Sequence, residues 1–230
     1  MNNSSGIGKI STDITVQVDD QDNGFQNVAG PTKFEITVVN DAPTLSATGS
    51  NPGFTEGGSV APLFSVSTVT GGPGGESDQG IENLTLTVSN VADGGDEVLN
   101  LDGSTIALSG GNSGTTSSNG IDYSVSLSGA TATLDLDLTP GSFNGLDPST
   151  LEGVIDGMGY EHTGEDPSAG SDRTVTITEI QDDGGTTPGA NTASGTLAKS
   201  TVTLTAENDA PTMSTDGRSL NAIDEDATGN

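Results

Sequence analysis

The acidic residues of this sequence occur in short clusters that could bind a hard cation. Such clusters lie at residues 19–22, 76–78, 93–97, 165–166 and 182–183. The chain has 33 Asp and Glu but only 5 Lys and Arg, so few basic side chains can neutralise these groups. Two like charges 4 Å apart repel by about 1 kcal/mol in water and about 4 kcal/mol at an effective dielectric of 20. Clusters that folding brings together therefore need a counter-charge, whereas any single Asp can equally be a solvated surface charge.

Calcium is the cation that the available ligands favour. It takes about six to eight oxygen ligands from carboxylates, Asn side chains and backbone carbonyls. This sequence is rich in such oxygens, but it has no cysteine and one histidine, so zinc sites built on Cys or His are excluded. The net charge of −28 excludes nucleic acid as the main partner. Membrane insertion is not expected, because no apolar run approaches the roughly 18 residues of a spanning helix.

Apolar and polar residues alternate along many short segments, which is the pattern of half-buried β-strands. The segments lie at residues 84–88, 99–101, 123–127, 134–138, 175–177 and 202–204. Between them, pairs such as Asp102-Gly103 and Asn119-Gly120 supply residues that tolerate the positive φ of tight turns. We therefore expect an all-β fold in which a two-sheet sandwich buries one face of each strand. The Gly- and Ser-rich residues 110–118 are predicted to form a long hairpin loop.

One segment has helical instead of strand spacing. Asp147 can cap a helix that begins at Pro148, and apolar residues follow at Leu151, Val154, Ile155 and Met158 before Gly159. We expect a short helix at the edge or corner of the sandwich. Two acids on this helix, Glu152 and Asp156, are interpreted as solubilising, and Asp135 and Asp137 are expected on the outward face of a strand.

An internal repeat sets the predicted domain boundaries. The motif Val39-Asn40-Asp41-Ala42-Pro43-Thr44 recurs as Glu207-Asn208-Asp209-Ala210-Pro211-Thr212, about 168 residues later (208 − 40). The strand patterns before the two motifs also match. Residues 1–40 are therefore predicted to be the C-terminal strand pair of a preceding repeat, 41–211 one complete repeat, and 212–230 the start of the following one. A different boundary, with residues 1–40 in the same domain, stays open.

These motifs resemble a known group of repeats. The Asn-Asp-Ala-Pro junctions at 40–43 and 208–211 resemble the calcium-binding linkers of cadherin repeats. Residues 159–177, with Asp182-Asp183-Gly184-Gly185, resemble the cadherin-like repeats of large bacterial surface adhesins of the RTX type, which are exported by type I secretion. The resemblance implies a Greek-key immunoglobulin-like β-sandwich with calcium between consecutive repeats. It also implies an extracellular, non-enzymatic extender at the bacterial cell surface that projects a ligand-binding tip in cell adhesion and biofilm formation.

The cadherin pattern, carried over residue by residue, implies a set of calcium ligands. They are Glu56 as a first-strand glutamate, Glu76 and Asp78 as a paired-acid motif with Asn83 downstream, Glu165 and Asp166 as an Asp-Arg-Glu motif without its arginine, Asp182 with its neighbour Asp183 between the last two strands, and Asn40, Asp41, Asn208 and Asp209 as linker ligands. The acid expected two residues before each linker Asn is Val38 and Ala206 instead. We therefore expect one or two ions per junction rather than three.

Two other functions stay open at this point. A ligand-binding module would recognise a carbohydrate or a protein through residues 110–118 and the acids near Glu76, although 5 Phe, 2 Tyr and no Trp offer few binding hot spots. A hydrolase would need a catalytic carboxylate pair, and His162 is interpreted as a structural polar residue at a strand end. The partners expected for an extender are the neighbouring repeats of the same chain, with host or surface ligands bound through other domains.

Overall fold

A computed structural model of the chain describes residues 39–72, 79–139, 145–186 and 189–209. These ranges cover most of the predicted repeat at 41–211. The predicted flanks, residues 1–40 and 212–230, lie outside the described residues apart from Val39 and Asn40. The predicted ligands Glu76 and Asp78 also lie outside them.

Short strands follow one another through the described residues. The strands are β1 (Thr44–Gly49), β2 (Gly53–Thr55), β3 (Ala61–Pro62), β4 (Phe64–Thr70), β5 (Ile81–Ser89), β6 (Glu97–Leu101), β7 (Ser104–Ala107), β8 (Ser113–Thr115), β9 (Asp122–Ser128), β10 (Thr131–Asp137), β11 (Gly159–His162), β12 (Arg173–Asp182) and β13 (Thr192–Thr205). A 3₁₀ turn (Gly94–Asp96) precedes β6, and one α-helix, α1 (Pro148–Asp156), precedes β11 in this part of the chain. The prediction of a mainly β fold with one short helix is confirmed.

The strands form several sheets. A seven-stranded sheet has the order β2-β13-β12-β5-β10-β9-β8, a four-stranded sheet has the order β3-β11-β6-β7, and β1 pairs with β4. Neighbouring strands are antiparallel except for β2 and β13, which run parallel with Phe54 opposite Leu204. This pairing carries the chain after β2 toward the C-terminal end of β13.

One hydrophobic cluster joins the two larger sheets. Leu84 and Leu86 of β5, Leu99 of β6 and Tyr160 of β11 are all buried in it. The rings of Phe54 in β2 and Tyr160 meet edge to face, with centroids 5.8 Å apart. Burial of each large apolar side chain stabilises the fold by about 1.5–3 kcal/mol, so the alternation seen in the sequence becomes a shared core.

Helix α1 begins as predicted and also covers an edge of β4. The Asp147 carboxylate accepts a hydrogen bond from Ser149 N at 2.9 Å, which caps the helix. Glu152 Oε1 accepts from Val69 N at 2.9 Å, and Asp156 Oδ1 accepts from Ser67 N at 3.0 Å. The two acids were predicted to be solubilising. They also accept hydrogen bonds from backbone N–H groups of β4.

The predicted loop at residues 110–118 contains a strand that the sequence pattern did not indicate. Strand β8 pairs with β9, with Gly114 opposite Tyr123. A Cβ atom at Gly114 would lie 2.8 Å from the Tyr123 hydroxyl, so glycine makes room for the ring. The Ser-Gly-Thr sequence of β8 has no apolar alternation because this short edge strand is exposed throughout. In β9, Leu127 is likewise 45% exposed, contrary to the buried face predicted for this strand.

Candidate metal centres

The long strand β13 separates two groups of predicted ligands. At about 3.3 Å per residue, its 14 residues extend roughly 45 Å. Asp182 lies beside its start, because Asp182 N donates to Asn191 O at 2.9 Å, and Glu56 lies beside its end, because Glu56 N donates to Thr205 O at 2.9 Å. We define the N-terminal pole as Asn40, Gln79, Asp182 and Asp183, and the C-terminal pole as Glu56, Glu165 and Asp209.

Three carboxylates from distant parts of the sequence meet at the C-terminal pole. An oxygen of each of Glu56, Glu165 and Asp209 lies within 4.8 Å of the other two. Glu56 follows β2, Glu165 lies between β11 and β12, and Asp209 follows β13. All three are among the ligands implied by the resemblance, and the structure brings them together.

The chain after β13 is held beside Glu56. Glu207 N donates to Glu56 Oε2 at 2.8 Å, so the Glu56 carboxylate is fixed by the segment that carries Asp209. Asn208, another predicted ligand, donates from Nδ2 to the Asp209 carbonyl oxygen at 3.1 Å. The described start of the second junction motif, residues 207–209, thus lies at the C-terminal pole.

No ion pair offsets the charge of the C-terminal pole within the described ranges. The Lys and Arg residues of the described ranges are Arg173, which is buried against Glu97, and Lys199, which lies within β13. Glu165 and Asp209 are exposed and Glu56 is half-buried, so water can reach the three carboxylates. Closely spaced oxygen donors with open access suit a hard divalent cation that keeps some water ligands.

Asn40 ties the N-terminal pole together. Its Nδ2 donates to Asp182 Oδ1 at 3.2 Å and to Ala190 O at 2.8 Å, and its Oδ1 accepts from Gln79 Nε2 at 2.7 Å. Gly184 N also donates to Asp182 Oδ1, at 2.8 Å. The exposed fraction is 7% for Asn40, 5% for Gln79 and 0% for Asp182. Three of the four residues of this pole are therefore buried, and Asp183 is half-buried.

Two buried oxygen atoms of the N-terminal pole make no hydrogen bond in the part of the chain that is described. They are Gln79 Oε1 and Asp183 Oδ1. A buried oxygen without a donor costs about 1–3 kcal/mol. Burial also raises the pKa of Asp183, and the nearby charge of Glu82 adds to the rise. Both atoms are hard oxygen donors of the kind that calcium prefers, and a cation beside Asp183 would offset its charge.

Two glycines give Asn40 its position. A Cβ atom at Gly184 would lie 2.1 Å from Asn40 Oδ1, and one at Gly189 would lie 2.0 Å from Asn40 O. Gly189 also has a φ of +124°, which other residues rarely adopt. Side chains at these positions would displace the first copy of the junction motif.

The remaining predicted ligands in the described ranges are Asp41, Asp166 and Asn83. Asp41 and Asp166 are exposed, and Asp166 is not one of the three converging carboxylates although it follows Glu165 in the same loop. Asn83 lies within β5, where its Nδ2 donates to Gln181 Oε1 at 3.2 Å. Gln79 was not predicted as a ligand, and the available signal was its place directly after the acids at 76–78.

A buried charged network was also missed. Arg173 donates from Nε to Glu97 Oε2 at 2.7 Å and from a terminal nitrogen to Glu97 Oε1 at 3.0 Å. The Tyr160 hydroxyl and the N–H groups of Ala92 and Asp93 donate to the same carboxylate. Although burial acts to raise it, the hydrogen bonds from Arg173 and the two N–H groups hold the pKa of Glu97 below its ordinary value. One acid of the 93–97 cluster is therefore paired with a base and is not available to a metal.

No helix within the described residues is long and apolar enough to cross a membrane. Comparison with protein-family models, with curated proteins and with solved structures gives no match for this chain. The function is therefore inferred from the two poles and from the resemblance of their motifs.

Proposed function

We propose that this chain contains a calcium-stabilised structural repeat of a secreted bacterial cell-surface adhesin. The observation that carries the proposal is the position of the two junction motifs. Asn40 belongs to one pole and Asp209 to the other, at opposite ends of β13. A repeat with its junctions at opposite ends joins its neighbours end to end, as an extender requires.

The strand order supports the cadherin-like assignment. We match β3 and β4 to strand B, β5 to strand C and β6 to strand D, and we match β11, β12 and β13 to strands E, F and G. The large sheet then contains the order G-F-C, and the smaller sheet contains the order B-E-D. These are neighbours in immunoglobulin-like sandwiches. Strands β7 to β10 and helix α1 then form an insertion between D and E, which explains why the repeat is longer than a minimal sandwich.

The proposed ion sites use the oxygens of the two poles. Glu56, Glu165 and Asp209 would hold an ion at the C-terminal pole, and Gln79 and Asp183 would contribute at the N-terminal pole. An ion that binds only the folded state stabilises it by RT ln(1 + [Ca²⁺]/Kd). Extracellular calcium modules bind at roughly 10⁻⁴ to 10⁻³ M, so the repeat would be stabilised outside the cell. Its role is structural and involves no catalysis.

Thermal unfolding with EGTA and with 10 mM Ca²⁺ tests the proposal. A site with Kd near 10⁻⁴ M would add about 2.7 kcal/mol, which raises the Tm of a domain of this size by about 5–11 °C. Glu165→Gln should lose a large part of the shift, because it removes one of three converging carboxylates. The matched control is Asp135→Asn, on the exposed face of β10, which should keep the full shift. An unchanged wild-type Tm, or equal shifts in the two variants, would contradict the proposal.

A cleft beside helix α1 favours a ligand-binding module as the second candidate. Its volume is about 340 Å³, and its polar lining includes Asp102, Ser118, Asn119 and Thr150. Ser118 belongs to residues 110–118, the segment expected to recognise a ligand. Screening the chain on a glycan array, with Asn119→Ala as the variant, tests this function. Saturable binding that the variant loses would support it, and an empty array would count against a carbohydrate ligand.

A further inference from the structure

Hydrogen bonds hold both ends of the loop that carries Glu165. Residues 163–172 connect β11 to β12. Thr163 N donates to Asp96 O at 2.8 Å at the start of the loop, and Asn90 Nδ2 donates to Asp172 O at 2.8 Å at its end. Glu165 itself is exposed. Its position relative to Glu56 and Asp209 therefore depends on what fixes the middle of the loop.

The Asp93 carboxylate provides that contact. Ser168 donates to it from N at 2.7 Å and from Oγ at 2.5 Å. His162, the last residue of β11, lies with Nε2 3.2 Å from Asp93 Oδ2, and its Nδ1 is 3.1 Å from Gly164 O. Asp93 thus contacts both His162, at the end of the strand that leads into the loop, and Ser168, three residues after Glu165.

Asp93 is itself fixed by the buried network. Its N–H donates to Glu97 Oε1 at 2.9 Å, and a terminal nitrogen of Arg173 lies 3.5 Å from its Oδ2. Arg173 is also the first residue of β12, so the same network holds the end of the loop. Burial acts to raise the pKa of Asp93, but the hydrogen bonds from Ser168 and His162 outweigh it and lower the pKa. The anchor is therefore ionised and rests on the core.

We infer that Asp93 is a positioning residue for the C-terminal pole: it holds residues 163–172 through Ser168 so that Glu165 meets Glu56 and Asp209. The inference rests on the proposed calcium site. Asp93 is not one of the three converging carboxylates, so it acts through the loop and not as a ligand. Groups that orient metal ligands in this way typically change metal affinity by about 10- to 100-fold when replaced.

The test is calcium titration of the full chain by calorimetry, comparing Asp93→Asn and Ser168→Ala with the wild type. Ser168→Ala leaves the buried network intact, so it remains informative if Asp93→Asn folds poorly. We expect the affinity of the C-terminal pole to fall about 10-fold in Ser168→Ala and up to about 100-fold in Asp93→Asn. Asp135→Asn serves as the control for loss of one carboxylate elsewhere and should bind as the wild type does.

A double variant separates positioning from general destabilisation. In a Glu165→Gln background the C-terminal site is already impaired, so adding Ser168→Ala should change calcium affinity less than 2-fold. Hydrogen exchange of residues 163–172 without metal should also be faster in Ser168→Ala. If Glu165→Gln weakens calcium binding but Ser168→Ala and Asp93→Asn do not, the inference is wrong while the proposed function stands. If Glu165→Gln itself has no effect on binding, both the proposed C-terminal site and this inference fail.

Discussion

Replacing Glu97 by Gln tests how strongly the buried network stabilises the fold. Glu97 is 0% exposed and Arg173 is 1% exposed. Gln keeps the shape of the side chain, but it removes the charge and turns one acceptor atom into a donor that faces other donors. The buried guanidinium of Arg173 then loses its closest counter-ion and keeps the more distant Asp93, at 3.5 Å. Removal of one partner of a buried ion pair costs about 3–5 kcal/mol, which lowers the Tm of a domain of this size by about 6–20 °C.

Urea unfolding in EGTA measures this loss without a contribution from calcium. The control is Asp135→Asn, because Asp135 is exposed on β10 and accepts a hydrogen bond from Thr85 Oγ1 that an amide oxygen can also accept. A surface change of this kind should stay within about 0.5 kcal/mol. A loss below about 1 kcal/mol for Glu97→Gln would refute the conclusion that the pair stabilises the fold.

The same variant gives a pH dependence of definite sign. The pKa of Glu97 in the folded state lies below its ordinary value of 4.5. Its contribution to the free energy of unfolding is therefore complete above pH 4.5 and is lost as the pH falls through the folded-state pKa. The difference in stability between the wild type and Glu97→Gln should be constant near neutral pH and shrink on acidification below 4.5. A difference that grows on acidification would contradict this reasoning.

Substitutions at Asp183 and Glu152 test the N-terminal pole and helix α1. Burial and the charge of Glu82 raise the pKa of Asp183 above 3.8, so its charge opposes folding as the pH rises through that raised value. Asp183→Asn should therefore stabilise the chain in EGTA at pH 7 but lower its calcium-induced Tm shift. A destabilised variant in EGTA would contradict this. Glu152→Ala should lower the free energy of unfolding in urea by about 1–2 kcal/mol, because it leaves the N–H of buried Val69 without an acceptor. Glu152→Gln keeps an acceptor oxygen and should cost less. Equal losses for the two variants would show that the hydrogen bond contributes nothing.

Local patterns predicted the parts of the fold that depend on neighbouring residues. The alternation at 84–88 and 134–138 became β5 and β10, which pair with Leu86 opposite Leu134. Asp147 and Pro148 marked the start of α1 correctly. Strand β8 was missed because its Ser-Gly-Thr sequence has no buried face, so its only signal is the backbone pairing with β9.

The candidate sites depended on contacts between distant residues. Glu56, Glu165 and Asp209 were named through a resemblance, but their convergence requires the parallel pairing of β2 with β13, which no local pattern indicates. The pairing of Glu97 with Arg173 spans 76 positions in the sequence. In an acidic chain with so few bases, the sequence could not indicate which carboxylate Arg173 would neutralise.

The placement of Arg173 supports the proposal that the two poles bind a cation. A carboxylate inside the core must be paired, because an unpaired buried charge costs several kcal/mol, and Glu97 takes Arg173 for this purpose. The poles differ in how far monovalent salt can replace a divalent ion. The oxygens of Glu165 and Asp209 are exposed and lie within 4.8 Å of each other, less than the Debye length of about 8 Å at physiological ionic strength, so salt screens their repulsion in part. Screening cannot supply a partner to Gln79 Oε1 or Asp183 Oδ1, which are buried. Monovalent salt should therefore replace calcium less well at the N-terminal pole than at the C-terminal pole.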